Sequence, residues 1–189
     1  MPFFHNYPGA FGAQMPSGDK ATHLTRYRGV KDSITGMKAN VLSARGAMSP
    51  VVRFQAEDIV KLVSAKDYLS EILAIRHWVN LRIPYLRDPS HVEWIRDPER
   101  LVVDIKKNGI VRADCDEYAS LVAALWLAVG NEVEFVTAGF GPPGTPHSHV
   151  FARAKIPKTD LWIVCDPVAG TREMQMLQKV TSFDTIPLN

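Results

Sequence analysis

The sequence predicts a single domain of the α+β class, with a buried helix packed on an antiparallel sheet, and three observations predict it. Residues 115–129 leave no polar face once past the first helical turn, so a helix there needs neighbours on all sides. After Gly130 come "EVEFVTAGF", "HVFARAKI" and "LWIVCDP", three short runs rich in β-branched and aromatic residues, separated by "GPPGTPHS" and "PKTD"; an antiparallel meander is the simple reading. Before them, apolar residues recur at helical spacing. A chain of 189 residues, 46% hydrophobic and 22% charged, carries enough apolar material for one core.

The elements follow in chain order. Residues 1–30 read as an extended arm, because Pro2, Pro8, Gly9, Gly12, Pro16 and Gly18 interrupt any periodicity. The arm also carries Phe3, Phe4, Tyr7 and Phe11, so it is expected to dock on a partner, a second copy or the domain's own surface. The domain then runs over residues 31–189, with its core at about 53–170. Residues 33–42 are weakly helical, and from Arg53 the positions Phe54, Ile59, Val60, Leu62 and Val63 predict a helix of two to four turns. Asp67 reads as an N-cap, with a helix running from it through Leu69, Ile72, Leu73, Trp78 and Val79 and ending before Pro84. "SHVEWIRDPERL" predicts one or two short helices broken at Pro98. Strands are expected near 133–139, 149–155 and 161–166.

Asp114 is a good N-cap, which sets Cys115 at the first helical position, where free amides and the helix dipole favour a thiolate. A small apolar cysteine at a helix end is the plainer reading of the same residue. The strands add partners. If residues 156–159 form a four-residue hairpin loop, counting outward sets His149 directly opposite Asp166 on one sheet face. The carboxylate then orients the imidazole, whose other nitrogen meets the thiol, giving a Cys, His, Asp relay in chain order. On this reading His149⁺ and the helix N-terminus outweigh Asp114 and Asp116, which are free to turn toward solvent, and Cys115 is expected to be substantially thiolate at neutral pH.

These residues resemble the transglutaminase-like cysteine enzymes of the papain-like superfamily, especially the short bacterial and phage-associated members. The segments "WVNLRIPYLRDP", "RADCDEYASLVAALWLAVG", "HSHVFARA" and "WIVCDP" follow that family's order and spacing from about Arg53 to Gly170. "TGMKANVLSARGAMSPVVRFQAEDIV" is similar to the N-terminal segment of the phage-type members. The resemblance implies a papain-like core, Cys115 as nucleophile, His149 as general base and acid, and Asp166 as orienting carboxylate. Ala113 stands where the family usually has Gly, and Glu117 where it commonly has a second Asp; neither change removes a reacting group.

Other residues carry weaker signals. Tyr85 either donates to an oxyanion beside the Cys115 amide or is an ordinary half-buried tyrosine. His147 reads as a flanking loop residue, and Cys165 as an inert thiol on the sheet face opposite Asp166. The lack of Cys-x-x-Cys or His-x-x-x-His spacing argues against a metal, and no cofactor is expected. Two cysteines fifty residues apart make no disulfide framework, and the first residues lack a signal-peptide pattern, so a reduced, cytoplasmic setting is expected. With a formal charge of +2, no polybasic block, and a longest apolar run of Leu121–Val129, neither nucleic acid nor membrane is an expected partner. The expected activity is that of a thiol-dependent hydrolase or acyltransferase on amide or isopeptide carbonyls of a protein or peptide. A binding or assembly module that keeps the fold without turnover is the alternative.

Overall fold

The computed structural model describes residues 30–86, 95–168 and 180–188. Five helices precede four strands: α1 Val30–Val41, α2 Pro50–Val60, α3 Tyr68–Arg82, α4 Pro98–Asn108, α5 Cys115–Ala128, β1 Val133–Gly139, β2 His149–Lys155, β3 Trp162–Cys165 and β4 Ser182–Pro187. The arm foreseen over residues 1–30 lies outside the described residues, apart from Val30, which opens α1.

Helix starts are set by caps. The Ser49 side chain accepts from Val51 N–H ahead of Pro50, and the Asp67 carboxylate accepts from Ser70 N–H at the head of α3. Pro98 starts α4, while residues 87–94, where a preceding helix would fall, lie outside the described residues. Asp97 caps the helix by accepting from Arg100 N–H, and a proline fits the first turn because its missing N–H would have no helical partner there.

Helix α5 is the centre of the domain. Every residue from Asp116 to Trp126 is buried, with α1, α2, α3 and α4 packed around it and the sheet against it. Burial of Leu121, Val122, Leu125 and Trp126 contributes about 1.5–3 kcal/mol for each large side chain. Trp126 Nε1 also donates to Ile72 O of α3 at 3.1 Å, which satisfies the indole inside the core. The helix stops at Gly130, whose φ of +90° is cheap only for glycine.

The sheet is antiparallel in the order β3-β2-β1-β4. One face, bearing Val133, Phe135, Val150, Ala152, Ala154 and Cys165, joins the core around α5. The other carries a smaller cluster of Val136, Ala138 and Phe151. Strand β4, which the sequence analysis does not anticipate, pairs with β1 along its whole length. Two further bonds close this edge: Leu188 N–H donates to Val133 O at 3.0 Å, and Lys38 Nζ of α1 donates to Pro187 O at 2.6 Å.

The β2–β3 register also differs from expectation. Lys155 pairs with Trp162 and Ala152 with Cys165, so Asp166 is not directly opposite His149. Ile156 belongs to the strand side, since its N–H donates to Leu161 O at 2.9 Å, and the four-residue loop is 157–160. Lys158 takes a φ of +66° there, and the Thr159 hydroxyl bonds to both Ile156 O and Leu161 N–H. Moving the loop by one residue moves the pairing by two, which keeps every side chain on its face. His149 and Asp166 therefore still share a face.

Candidate active site at the head of the buried helix

The site begins with the cap of α5. Asp114 is extended (φ −86°, ψ −166°), and its Oδ1 accepts from Asp116 N–H at 3.2 Å and Glu117 N–H at 3.3 Å. The cap claims those two amides and not that of Cys115, so the Cys115 N–H remains at the positive end of the helix. The thiol leans on the start of β2: the Val150 N–H is directed at its sulfur, immediately after His149 in the chain.

The protonation of Cys115 departs from expectation. Its sulfur donates to Asp116 Oδ1 at 3.3 Å. Burial pushes the thiol well above its ordinary value, Asp116 and then Asp114 push it further, and only the Val150 amide pulls it down. Neither carboxylate turns to solvent as expected, since Asp114 is 8% and Asp116 9% exposed. At rest Cys115 is a thiol.

His149 and Asp166 do come together. His149 Nε2 lies 2.9 Å from Asp166 Oδ1 and 3.0 Å from Oδ2. A carboxylate oxygen accepts, so Nε2 is the donating nitrogen and Nδ1 is the ring nitrogen that Asp166 does not engage. Val168 N–H donates to Asp166 Oδ1 at 2.9 Å, turning the chain back on the carboxylate. Phe140 and Phe151 flank the imidazole, each with its centroid 6.1 Å away. His149 and Asp166 occupy the sheet face opposite α5, and the Cys115 sulfur reaches that end of β2 through the Val150 N–H.

The weaker candidates divide. Tyr85 forms an isolated parallel bridge with Ala113, and Leu86 N–H donates to Ala113 O at 2.8 Å, which ties that segment to the chain just before Cys115. His147 stands apart from the relay: its ring nitrogens bond to Thr137 Oγ1 at 2.8 Å and Ser182 Oγ at 3.1 Å, so it braces β1 against β4. That contact explains Gly139, where an added Cβ would come within 2.7 Å of Ser182 Oγ and 3.1 Å of the His147 ring. Cys165 is fully buried on the helix side, and neither cysteine is in a disulfide. Among the described residues, the side-chain donors of Asp114, Cys115 and Asp116 lie within 4.8 Å of one another, close enough to surround a cation. Cys-x-x-Cys and His-x-x-x-His spacing does not capture an acidic pair of this kind.

Sequence reasoning also missed Arg96. Its Nε and Nη2 grip the two oxygens of Glu117 at 2.6 and 2.7 Å, its backbone N–H adds a third bond to that carboxylate, and Nη2 reaches Arg112 O at 2.7 Å. Glu117 is 2% exposed. A glutamate inside the first turn of an otherwise apolar helix was the available signal, since a buried carboxylate calls for a cation.

The family model for the transglutaminase-like superfamily matches residues 56–167, a span that contains Cys115, His149 and Asp166. No curated protein matches the sequence. Among solved structures, a candidate protease from Parabacteroides distasonis superposes with a TM-score of 0.55 at 13% identity, over 76% of this chain and 28% of that one. A candidate cysteine protease from Cytophaga hutchinsonii gives 0.49 at 18% identity, over 81% of this chain and 46% of that one. The chain thus spans less than half the length of either protein.

Proposed function

The chain belongs to the transglutaminase-like superfamily, and from that membership we propose that it is a thiol-dependent hydrolase or acyltransferase acting on amide or isopeptide carbonyls of proteins or peptides. The observation that carries the reading is the two-oxygen grip of Asp166 on His149 Nε2, which leaves Nδ1 as base next to the peptide unit against which the Cys115 sulfur lies. In the reaction, Cys115 Sγ attacks the carbonyl carbon as its proton passes to His149 Nδ1. The C–N bond then breaks as His149 returns that proton to the leaving amine, and a thioester remains. The Cys115 N–H, with Tyr85 as a second candidate donor, stabilises the oxyanion. Water then releases an acid, or an amine forms a new amide.

Because the thiol is protonated at rest, proton transfer accompanies attack and His149 is needed at every turnover. Profiling amide and isopeptide substrates tests this. Cys115→Ala and His149→Ala should abolish turnover to a similar extent, and Asp166→Asn should cost less, with the losses not adding because the three act as a unit. Turnover that survives Cys115→Ala would refute the assignment.

A second reading, a binding or assembly module of this fold without turnover, is favoured by the S–H bond from Cys115 to Asp116. It requires that a thiol-directed electrophile label Cys115 no faster than Cys165.

A further inference from the structure

One buried polar contact beneath the site has no part in the chemistry above. Tyr118 lies one helical turn along α5 from Cys115 and is 1% exposed. Its hydroxyl donates to Asn80 Oδ1 of α3 and lies 3.1 Å from Cys165 Sγ of β3. A phenol has a single hydrogen, and with that given to Asn80 the Cys165 S–H is the donor to the phenol oxygen. Burial, and then Cys165, hold the phenol neutral by pushing its pKa up, while the charges of Arg76 and Asp166 also act on it.

The place of Cys165 gives this contact its meaning. Strand β3 has four residues and lies at the sheet edge, and its ladder with β2 ends at the pair Ala152↔Cys165. Asp166 is the next residue, beyond the last rung. Alternation turns Cys165 toward the helices and Asp166 toward His149. An edge strand this short needs an anchor at its last rung if the following carboxylate is to stay within hydrogen-bond distance of an imidazole.

We propose that Tyr118 is a positioning residue of the site: by holding Cys165 it fixes Asp166 against His149, so the helix that presents the Cys115 thiol also sets the carboxylate that orients its base. The proposal rests on the reading of Cys115, His149 and Asp166 as one relay. Tyr118 touches none of the reacting atoms and acts through Asp166 alone.

The test is the rate of Cys115 alkylation by iodoacetamide against pH, read peptide by peptide in the full chain so that Cys165 is scored separately. His149→Ala first sets the full effect of losing the base. Tyr118→Phe should slow alkylation near pH 7 by about as much as Asp166→Asn, because a misaligned imidazole takes the S–H proton less well as the sulfur attacks. In an Asp166→Asn background it should slow nothing further, because the residue it acts through no longer bonds as before. Cys165→Ala, which keeps the tyrosine, should shift the profile in the same direction and carries the test if Tyr118→Phe fails to fold. A folded Tyr118→Phe protein with the wild-type profile, or one whose loss multiplies with that of Asp166→Asn, overturns the positioning role and leaves the relay standing. A His149→Ala profile identical to wild type overturns the relay and the positioning role together.

Discussion

At Cys115 two local influences compete, and the outcome depends on where two carboxylates end up. The helix N-terminus and the Val150 amide favour thiolate, whereas burial, Asp116 and Asp114 favour thiol and prevail. Replacing Asp116 with Asn removes the nearer charge and the acceptor of the S–H bond. Each unit by which the thiol pKa then falls raises the thiolate fraction tenfold and lowers intrinsic nucleophilicity about threefold, for a net gain of roughly threefold in alkylation rate near neutral pH. An alkylation rate in Asp116→Asn equal to or below wild type would show that the carboxylate does not restrain the thiol. The His149–Asp166 pairing and the place of Cys115 at the head of α5 were legible in the sequence, because a cap, a strand start and a strand end have local signatures. The ionisation was not, because the burial of Asp114 and Asp116 is decided by the rest of the domain closing around them.

Among the elements, α5 depends on a clamp that no periodicity announces. Arg96 pairs with buried Glu117 in the first turn and ties that turn to the residue 95–97 segment and to Arg112. Removing one member of such a pair leaves an uncompensated charge, so Arg96→Ala should cost about 3 kcal/mol in denaturant unfolding, at the low end of the usual range because the guanidinium is partly exposed. A loss under about 1 kcal/mol would mean that water replaces Arg96 at Glu117. The same contrast explains which elements could be read. Helix α5 and strands β1–β3 are written in apolar runs; Asp114 and Gly130 mark the ends of α5, and Asp67 the start of α3. Strand β4 was invisible because most of "SFDTIP" is exposed, so no apolar alternation marks it. Pro98 begins α4, and the Asp97 cap marks it as a start, since a proline begins a helix as readily as it ends one. The β2–β3 pairing was off by two residues because Thr159 and the left-handed Lys158, and not composition, choose the loop.

At the scale of the whole molecule, two raised acids make stability depend on pH in one direction. The Cys115 thiol and the Tyr118 phenol ionise near their ordinary values of 9.0 and 10.0 when the chain is unfolded, and both stay protonated when it is folded. Above pH 9 the folded state therefore binds more protons than the unfolded one, and unfolding free energy falls as pH rises, by about 1.4 kcal/mol per pH unit for each group. Below pH 9 neither contributes a slope. Urea midpoints measured from pH 8 to 11 should be flat and then fall, with Cys115→Ala flattening the first part of the decline; the same decline in that variant would remove the thiol as its source. The sheet order adds a consequence in time. Strand β1 is central, yet its outer neighbour β4 comes last, and the 22 positions from Cys165 to Pro187 take about one to four seconds to synthesise at 5–20 residues per second. Until β4 is in place, one side of β1 presents unpaired amides and carbonyls to any passing strand. A chain cut short between β3 and β4 would therefore keep Cys115, His149 and Asp166 and carry an adhesive sheet edge along β1.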